Sequence, residues 1–136
     1  MFSIDFCHIP VSIIKRSAGR SAVAAAAYRS GTKLTNEWDG MTHDYTRKGG
    51  IVHEEIMLPA HAPPEFADRS ILWNSVEQIE KARDSQLARE IEAALPRELS
   101  GQQQLALVRA YVKDNFVDKG MCADFAIHDK GTGNPH

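Results

Sequence analysis

Residues 82–96 read ARDSQLAREIEAALP, and whether this run is helix or strand decides the fold. By propensity it is helical, since alanine, leucine, arginine and glutamate are good helix formers. It would then continue a helix that starts just after Asp68. By period it is a strand over residues 87–95. Leu87, Arg89, Ile91, Ala93 and Leu95 alternate with Ala88, Glu90, Glu92 and Ala94, and Pro96 closes the run. Composition leaves the two readings level. As a strand, the segment puts Glu90 and Glu92 on one face, opposite Ile91.

Upstream, Asp68 caps a helix expected over about residues 69–83, with Ile71, Leu72, Ser75, Val76 and Ile79 at helical spacing. A proline-rich loop over residues 59–67 precedes it. Before that, IVHEEIML reads as a strand entered from a turn at Gly49-Gly50, and TNEWDGMTHDY as a hairpin turning at Asp39-Gly40. The segment KRSAGRSAVAAAAYRSG gives a helix near residues 18–30, capped by Ser17 or Ser21, stopped by Gly31, with Tyr28 in its last turn. Residues 1–14 read as a strand edged or ended by Pro10. Downstream, Ser100 opens a helix through the capping-box pattern SGQQ, which runs to about residue 118 and stops at Gly120. MCADFAIH is then a strand, followed by a glycine-rich end.

The length of 136 residues fits one domain with a real core. Hydrophobic residues at 43% and charged residues at 25% exclude general disorder, collagen-like repeats and coiled coil. No stretch approaches the roughly 20 apolar residues of a membrane span, and the N-terminus lacks the plan of a signal peptide. Cys7 and Cys122 are too few for a disulfide framework and read as buried small hydrophobes. A cytoplasmic protein with reduced thiols is expected. The net charge of -2 hides an uneven distribution. Residues 1–50 hold seven Lys/Arg against four Asp/Glu, with the excess at Lys15, Arg16, Arg20, Arg29, Lys33, Arg47 and Lys48. Such a patch can contact phosphates even on an acidic protein, although a solvated surface is the default.

Among residues that could carry chemistry, His128 closes a strand and His136 follows it after a short loop. Two imidazoles so placed can share a metal, but two ligands do not complete a site, and a surface histidine is the plainer alternative. Tyr28 follows a run of small side chains. It is either core or a hydroxyl facing a cleft beside Arg20, Arg29 and Lys33. A tyrosine nucleophile needs a base or a nearby cation. Glu90 and Glu92 are either a solvated pair or carboxylates able to act as bases or steady a cation.

Four stretches in order, RSAGRSAVAAAAYRSG, DYTRKGGIVHEEIMLP, LAREIEAALPREL and AIHDKGTGNPH, span nearly the whole chain. Together they resemble the MobA/MobL family of plasmid relaxases, of the histidine-hydrophobe-histidine endonuclease superfamily. The resemblance implies an α/β fold, an antiparallel sheet of about five strands with packed helices, and it resolves residues 87–95 as a strand. It implies that Tyr28 is the nucleophile, that Glu90 and Glu92 face the active site, and that His128 and His136 bind a divalent cation, Mg²⁺ or Mn²⁺. The third histidine of the pattern falls two positions past His136, so the resemblance implies one relaxase domain cut within its metal motif, expected to be weak or inactive in nicking. The implied reaction is nicking and rejoining of single-stranded DNA at a plasmid origin of transfer, through a 5′-phosphotyrosyl bond. Arg16, Arg20, Arg29 and Lys33 would guide the DNA, and the implied partners are accessory mobilisation proteins and a coupling protein. The alternative is a module that binds origin DNA without cutting it.

Overall fold

The computed structural model describes residues 11–80 and 86–129. His136, Cys7 and most of the strand expected over residues 1–14 lie outside them. Six strands and three α-helices follow in the order β1 (Val11–Lys15), α1 (Ala22–Ser30), β2 (Lys33–Thr35), β3 (Thr42–Asp44), β4 (Ile51–Met57), α2 (Arg69–Ile79), β5 (Gln86–Ile91), α3 (Gly101–Asn115) and β6 (Ala123–His128). The deciding run is a strand, as its alternation indicates, but it ends at Ile91 and leaves Glu92 just outside. The fold is mixed α/β with antiparallel pairing throughout. The sheet differs from the expected single one of about five strands. Among the described residues the strands form three separate pairs, β1–β5, β2–β3 and β4–β6. One reason is local. Strands β2 and β3 are three residues each and close on themselves, with the Thr35 and Thr42 hydroxyls 2.8 Å apart.

Helix α1 forms where serine and alanine dictate. Ser21 Oγ accepts the Ala24 N–H at 3.1 Å, and Gly31 ends the helix at φ 66°, a left-handed conformation that costs glycine little. Its alanines let it lie close to its neighbours. Val23, Ala26 and Ala27 pack with Leu34 in one buried cluster, while Ala22 joins Ile14 and Leu87 in another. Trp73 of α2 packs against both clusters and joins them.

Helix α2 buries a different face from the one its apolar spacing suggests. Leu72 is buried and Val76 packs on the core, but Ile71 and Ile79 are exposed, and Asn74 and Glu77 are buried. The polar pair is satisfied. Glu77 Oε1 accepts the Ala22 N–H at 2.8 Å and the Ser21 hydroxyl at 3.1 Å. Asn74 accepts the Glu37 N–H at 2.8 Å and donates to the Thr35 carbonyl at 2.9 Å. A carboxylate at the start of α1 also meets the positive end of the helix dipole. Helix α2 thus docks α1 and the β2–β3 hairpin through polar groups.

The β4–β6 pair carries helices on both faces. Residues paired in register share a face, so Asp124 and Ile56, Ala126 and Glu54, and His128 and Ile51 point one way. Glu54 and Asp124 meet Arg69 of α2 on that side, and Glu55 meets Arg109 of α3 on the other. A register shift between Ile51 and His53 keeps His128 on the α1 side. Among the described residues, no helix is long and apolar enough to cross a membrane.

Candidate active site

Tyr28 sits in the last turn of α1 and is 52% exposed, so it is not core. Its ring meets Tyr45 edge to face at 5.2 Å. Lys48 donates to the Tyr28 main-chain carbonyl at 2.8 Å and lays its ammonium 3.6 Å from the ring centroid. The phenol therefore stands at the surface with a cation against its ring.

The neighbouring residue, Arg29, joins most of the expected site. Its main-chain carbonyl lies 2.8 Å from His128 Nε2. A carbonyl can only accept, so Nε2 carries the hydrogen, and in the neutral ring Nδ1 is the acceptor atom. Its guanidinium donates to Asp124 at 3.3 Å and lies 3.9 Å from Glu90 Oε1. Glu90 Oε2 in turn accepts from Arg20 at 2.9 Å and from the Ser12 hydroxyl at 3.4 Å. Arg20, Arg29, Glu90 and His128 are thus tied together where α1, β5 and β6 meet, with Tyr28 next to Arg29 along the chain. Glu92 is exposed beyond the end of β5.

The other two basic residues lie apart from this junction. Lys33 is exposed on β2, opposite Asp44 in register. Arg16 is turned inward, its side chain 12% exposed, bonded to Glu77 Oε2 at 3.1 Å and to the main-chain carbonyls of Glu77 and Glu80. Its guanidinium also lies 3.9 Å from the Trp38 ring centroid. Arg16 is committed to holding β1 and α1 against α2.

Three groups escaped the sequence reading. The Asp124 side chain is fully buried and accepts from Arg69 Nε at 2.8 Å, Arg69 Nη2 at 2.9 Å and Trp73 Nε1 at 2.8 Å, besides Arg29. Burial disfavours the charged form of Arg69, but its hydrogen bonds to Asp124 and Glu54 outweigh this and hold it above the ordinary arginine range. A signal for Asp124 existed, because aspartate is rare inside strands and here interrupts an apolar run. Glu77 gave none. The third is Glu55, on the far face of β4, where burial is overridden by Arg109 and His53, whose hydrogen bonds keep its carboxyl below the usual range. Cys122 is half-buried, and burial pushes its thiol up, which suits an unreactive residue.

The fit to a divalent cation is partial. Among the described residues, no three His, Cys, Asp or Glu side chains form a group that could hold an ion. His128 alone suits one position, since donation of the other ring N–H to a carbonyl is the outer contact that orients metal-bound imidazoles. His136 lies outside the described residues.

The MobA/MobL family profile matches residues 20–136. The chain is 48% identical over 139 aligned residues to the "Conjugal transfer protein TraA" of Rhizobium radiobacter, covering 95% of this chain and 12% of that protein. It is 47% identical over 121 residues to the "Mobilization protein MobL" of Acidithiobacillus ferridurans, covering 89% of this chain and 31% of that protein. The chain therefore spans a minor part of the length of these relatives. A chain solved in "Molecular Basis of Vancomycin Resistance Transfer in Staphylococcus aureus" superposes with a TM-score of 0.88 at 31% identity, covering 94% of this chain and 65% of that one.

Proposed function

The chain belongs to the MobA/MobL family, and from that premise we propose that it is a relaxase domain that nicks and rejoins single-stranded DNA at a plasmid origin of transfer. The observation that carries the reading is the junction around Arg29. A histidine, a carboxylate and two arginines from separate parts of the chain meet there, next in sequence to an exposed tyrosine.

Tyr28 Oη attacks the scissile phosphorus. A bond from Oη to phosphorus forms, the bond to the 3′ oxygen breaks, the phenol proton goes to a base, and the departing 3′ oxygen takes up a proton. One fragment leaves with a free 3′-hydroxyl, and the other stays bound to Tyr28 through its 5′-phosphate. The ester bond is conserved, so attack by the 3′-hydroxyl reverses the step without an energy source. Arg20 and Arg29 stand where they can meet the incoming phosphate, and Lys48 adds a third charge beside the nucleophile. Lys33 extends the path along β2. Binding is then salt-dependent. Glu90 and Glu92 are the proposed carboxylates of the site, and Glu90 sets the arginines by its contacts with both. His128, with His136, is the proposed contribution to a divalent cation, Mg²⁺ or Mn²⁺. Of these two, His128 lies among the described residues, its Nε2–H donated to the Arg29 carbonyl and Nδ1 left as the acceptor. The partners on this reading are origin DNA, accessory mobilisation proteins and a coupling protein, in the cytoplasm.

The test is covalent-adduct formation with a single-stranded origin oligonucleotide, using the full-length parent protein. Tyr28→Phe is expected to abolish the adduct and to leave DNA affinity within a few-fold. Persistence of the adduct in the Phe variant contradicts the assignment. Salt-sensitive DNA binding by the unaltered protein with no adduct under any divalent cation identifies a non-cutting DNA-binding module instead.

A further inference from the structure

Strand β6 holds the residue next to the proposed nucleophile at both of its ends. His128 takes the main-chain carbonyl of Arg29 at 2.8 Å, and Asp124, four residues earlier on the same face, takes its guanidinium at 3.3 Å. We propose that Asp124 is a positioning residue for DNA cleavage, acting through Arg29 to fix the last turn of α1, and with it Tyr28, against the strand that carries His128. The proposal rests on the nicking reading above.

Its basis is the rigidity of the Asp124 carboxylate. The side chain is 0% exposed. Three donors from α2 hold it: Nε and Nη2 of Arg69, gripping both oxygens, and the indole N–H of Trp73. Paired donors of this kind fix orientation as well as charge. The guanidinium of Arg29 lies over the same Trp73 ring, 5.7 Å from its centroid. The carboxylate is thus a fixed point against which Arg29, 22% exposed at its side chain, is set.

The charges alternate outward from this point. Glu54 pairs with Arg69, Arg69 with Asp124, Asp124 with Arg29, Arg29 with Glu90 and Glu90 with Arg20. The chain reaches the surface at both ends, where the side chains of Arg20 and Glu54 are 41% and 42% exposed, and is closed between them, at 11% for Arg69 and 0% for Asp124. The closed middle is built as support, and the Arg20 end, beside Glu90, is open to a phosphate. If Asp124 loses its charge, the longer contact to Glu90, at 3.9 Å, and the Trp73 ring remain to set Arg29. The guanidinium can then follow Glu90 or solvent, and the turn bearing Tyr28 loses one of its two ties to β6. A displacement of about an ångström at a reacting group is enough to cost on the order of a hundredfold in rate.

The experiment compares Asp124→Asn, Arg29→Gln and the double variant with unaltered full-length protein and with Tyr28→Phe. Each is assayed for adduct formation at saturating oligonucleotide, for DNA affinity and for thermal midpoint, at a temperature where all are folded. Asp124→Asn is expected to slow adduct formation by about ten- to a hundredfold, with DNA affinity changed by no more than a few-fold. The double variant is expected to be no slower than the slower single one, because both act through one contact. A folded Asp124→Asn protein that forms adduct at the unaltered rate overturns the proposal. So do losses that multiply in the double variant. If Asp124→Asn does not fold, Asp124→Glu, which keeps the charge but moves it, takes its place. Slower adduct formation at a DNA affinity within a few-fold of unaltered protein supports the proposal, and an unaltered rate overturns it. Adduct formation by Tyr28→Phe would overturn the nicking assignment instead, and that result is read independently of Asp124.

Discussion

Replacing Glu77 with alanine removes the carboxylate on which α1 is seated, and the loss can be worked from its contacts. The residue is 1% exposed. One oxygen accepts the Ala22 N–H at 2.8 Å and the Ser21 hydroxyl at 3.1 Å; the other meets Arg16 at 3.1 Å. Removing one partner of a buried ion pair costs about 3–5 kcal/mol, because the remaining charge is left without its counterpart. The Arg16 side chain is 12% exposed, so water replaces little of what it loses. Against a total stability of roughly 5–15 kcal/mol this is a large fraction. At this chain length it lowers the thermal midpoint by on the order of 10–15 °C. Glu77→Gln separates charge from shape. An amide oxygen still accepts from Ala22, while the ionic half of the Arg16 contact is gone, so a smaller loss of about 1–3 kcal/mol is expected. Urea unfolding of the three proteins is the assay. An alanine variant within about 1 kcal/mol of unaltered protein, a loss typical of point substitutions generally, refutes the claim that this carboxylate seats α1. Equal losses in the two variants would show that the bond to Ala22 contributes nothing.

Further perturbations have expected outcomes of their own. Gly31→Ala forces a residue with a Cβ into φ 66° and places that Cβ against the Ile51 side chain, so a loss of about 1–2 kcal/mol in denaturant is expected; no loss would show that the turn after Tyr28 relaxes freely. The Glu55 carboxyl titrates below its unfolded value, so its contribution is present above the ordinary glutamate range and fades as pH falls through the lowered folded value. Glu55→Gln should therefore lower stability at neutral pH and flatten its decline below about pH 5, and an unchanged pH profile would contradict the Arg109 and His53 contacts as its cause. Lys33→Ala is expected to leave stability within about 0.5 kcal/mol and to reduce the salt slope of DNA binding by about 1. Arg16→Ala should do the reverse, destabilising the fold with the slope unchanged, and a reduced slope at full stability would show that Arg16 reaches DNA after all.

What could be read in advance follows from which forces leave a local trace. Caps and turns did, because Ser21, Asp68, Ser100 and Gly31 act on backbone groups a few residues away. The alternation of residues 87–95 competed with strong helix formers, and pairing with β1 decided for the strand up to Ile91. Glu92 falls one position past the end of β5 at Ile91, which pairs with Val11, the first of the described residues. The buried face of α2 was misleading for a physical reason. Its apolar spacing through Ile71 and Ile79 points to solvent, whereas Asn74 and Glu77 are buried because α1 and the hairpin supply their partners. No property of Glu77 within its own helix announces this. The site shows the same division. Tyr28, His128 and Glu90 were named from their stretches of sequence, and their common link through Arg29 depends on contacts across 61 to 99 positions along the chain for Arg29 and its like, as with Arg16–Glu77 and His128–Arg29. The inward turn of Arg16 likewise depends on Glu77 and Trp38, which the sequence does not place beside it.

The central claim is that Tyr28 takes the DNA phosphate, and peptide mapping of the covalent adduct tests it most directly. Full-length protein trapped on a single-stranded origin oligonucleotide, digested with nuclease and protease, is read by mass spectrometry for the tyrosine that retains nucleotide. The account predicts a nucleotide linked through its 5′-phosphate to Tyr28 alone, and a nucleotide on Tyr45 or Tyr111 would contradict it.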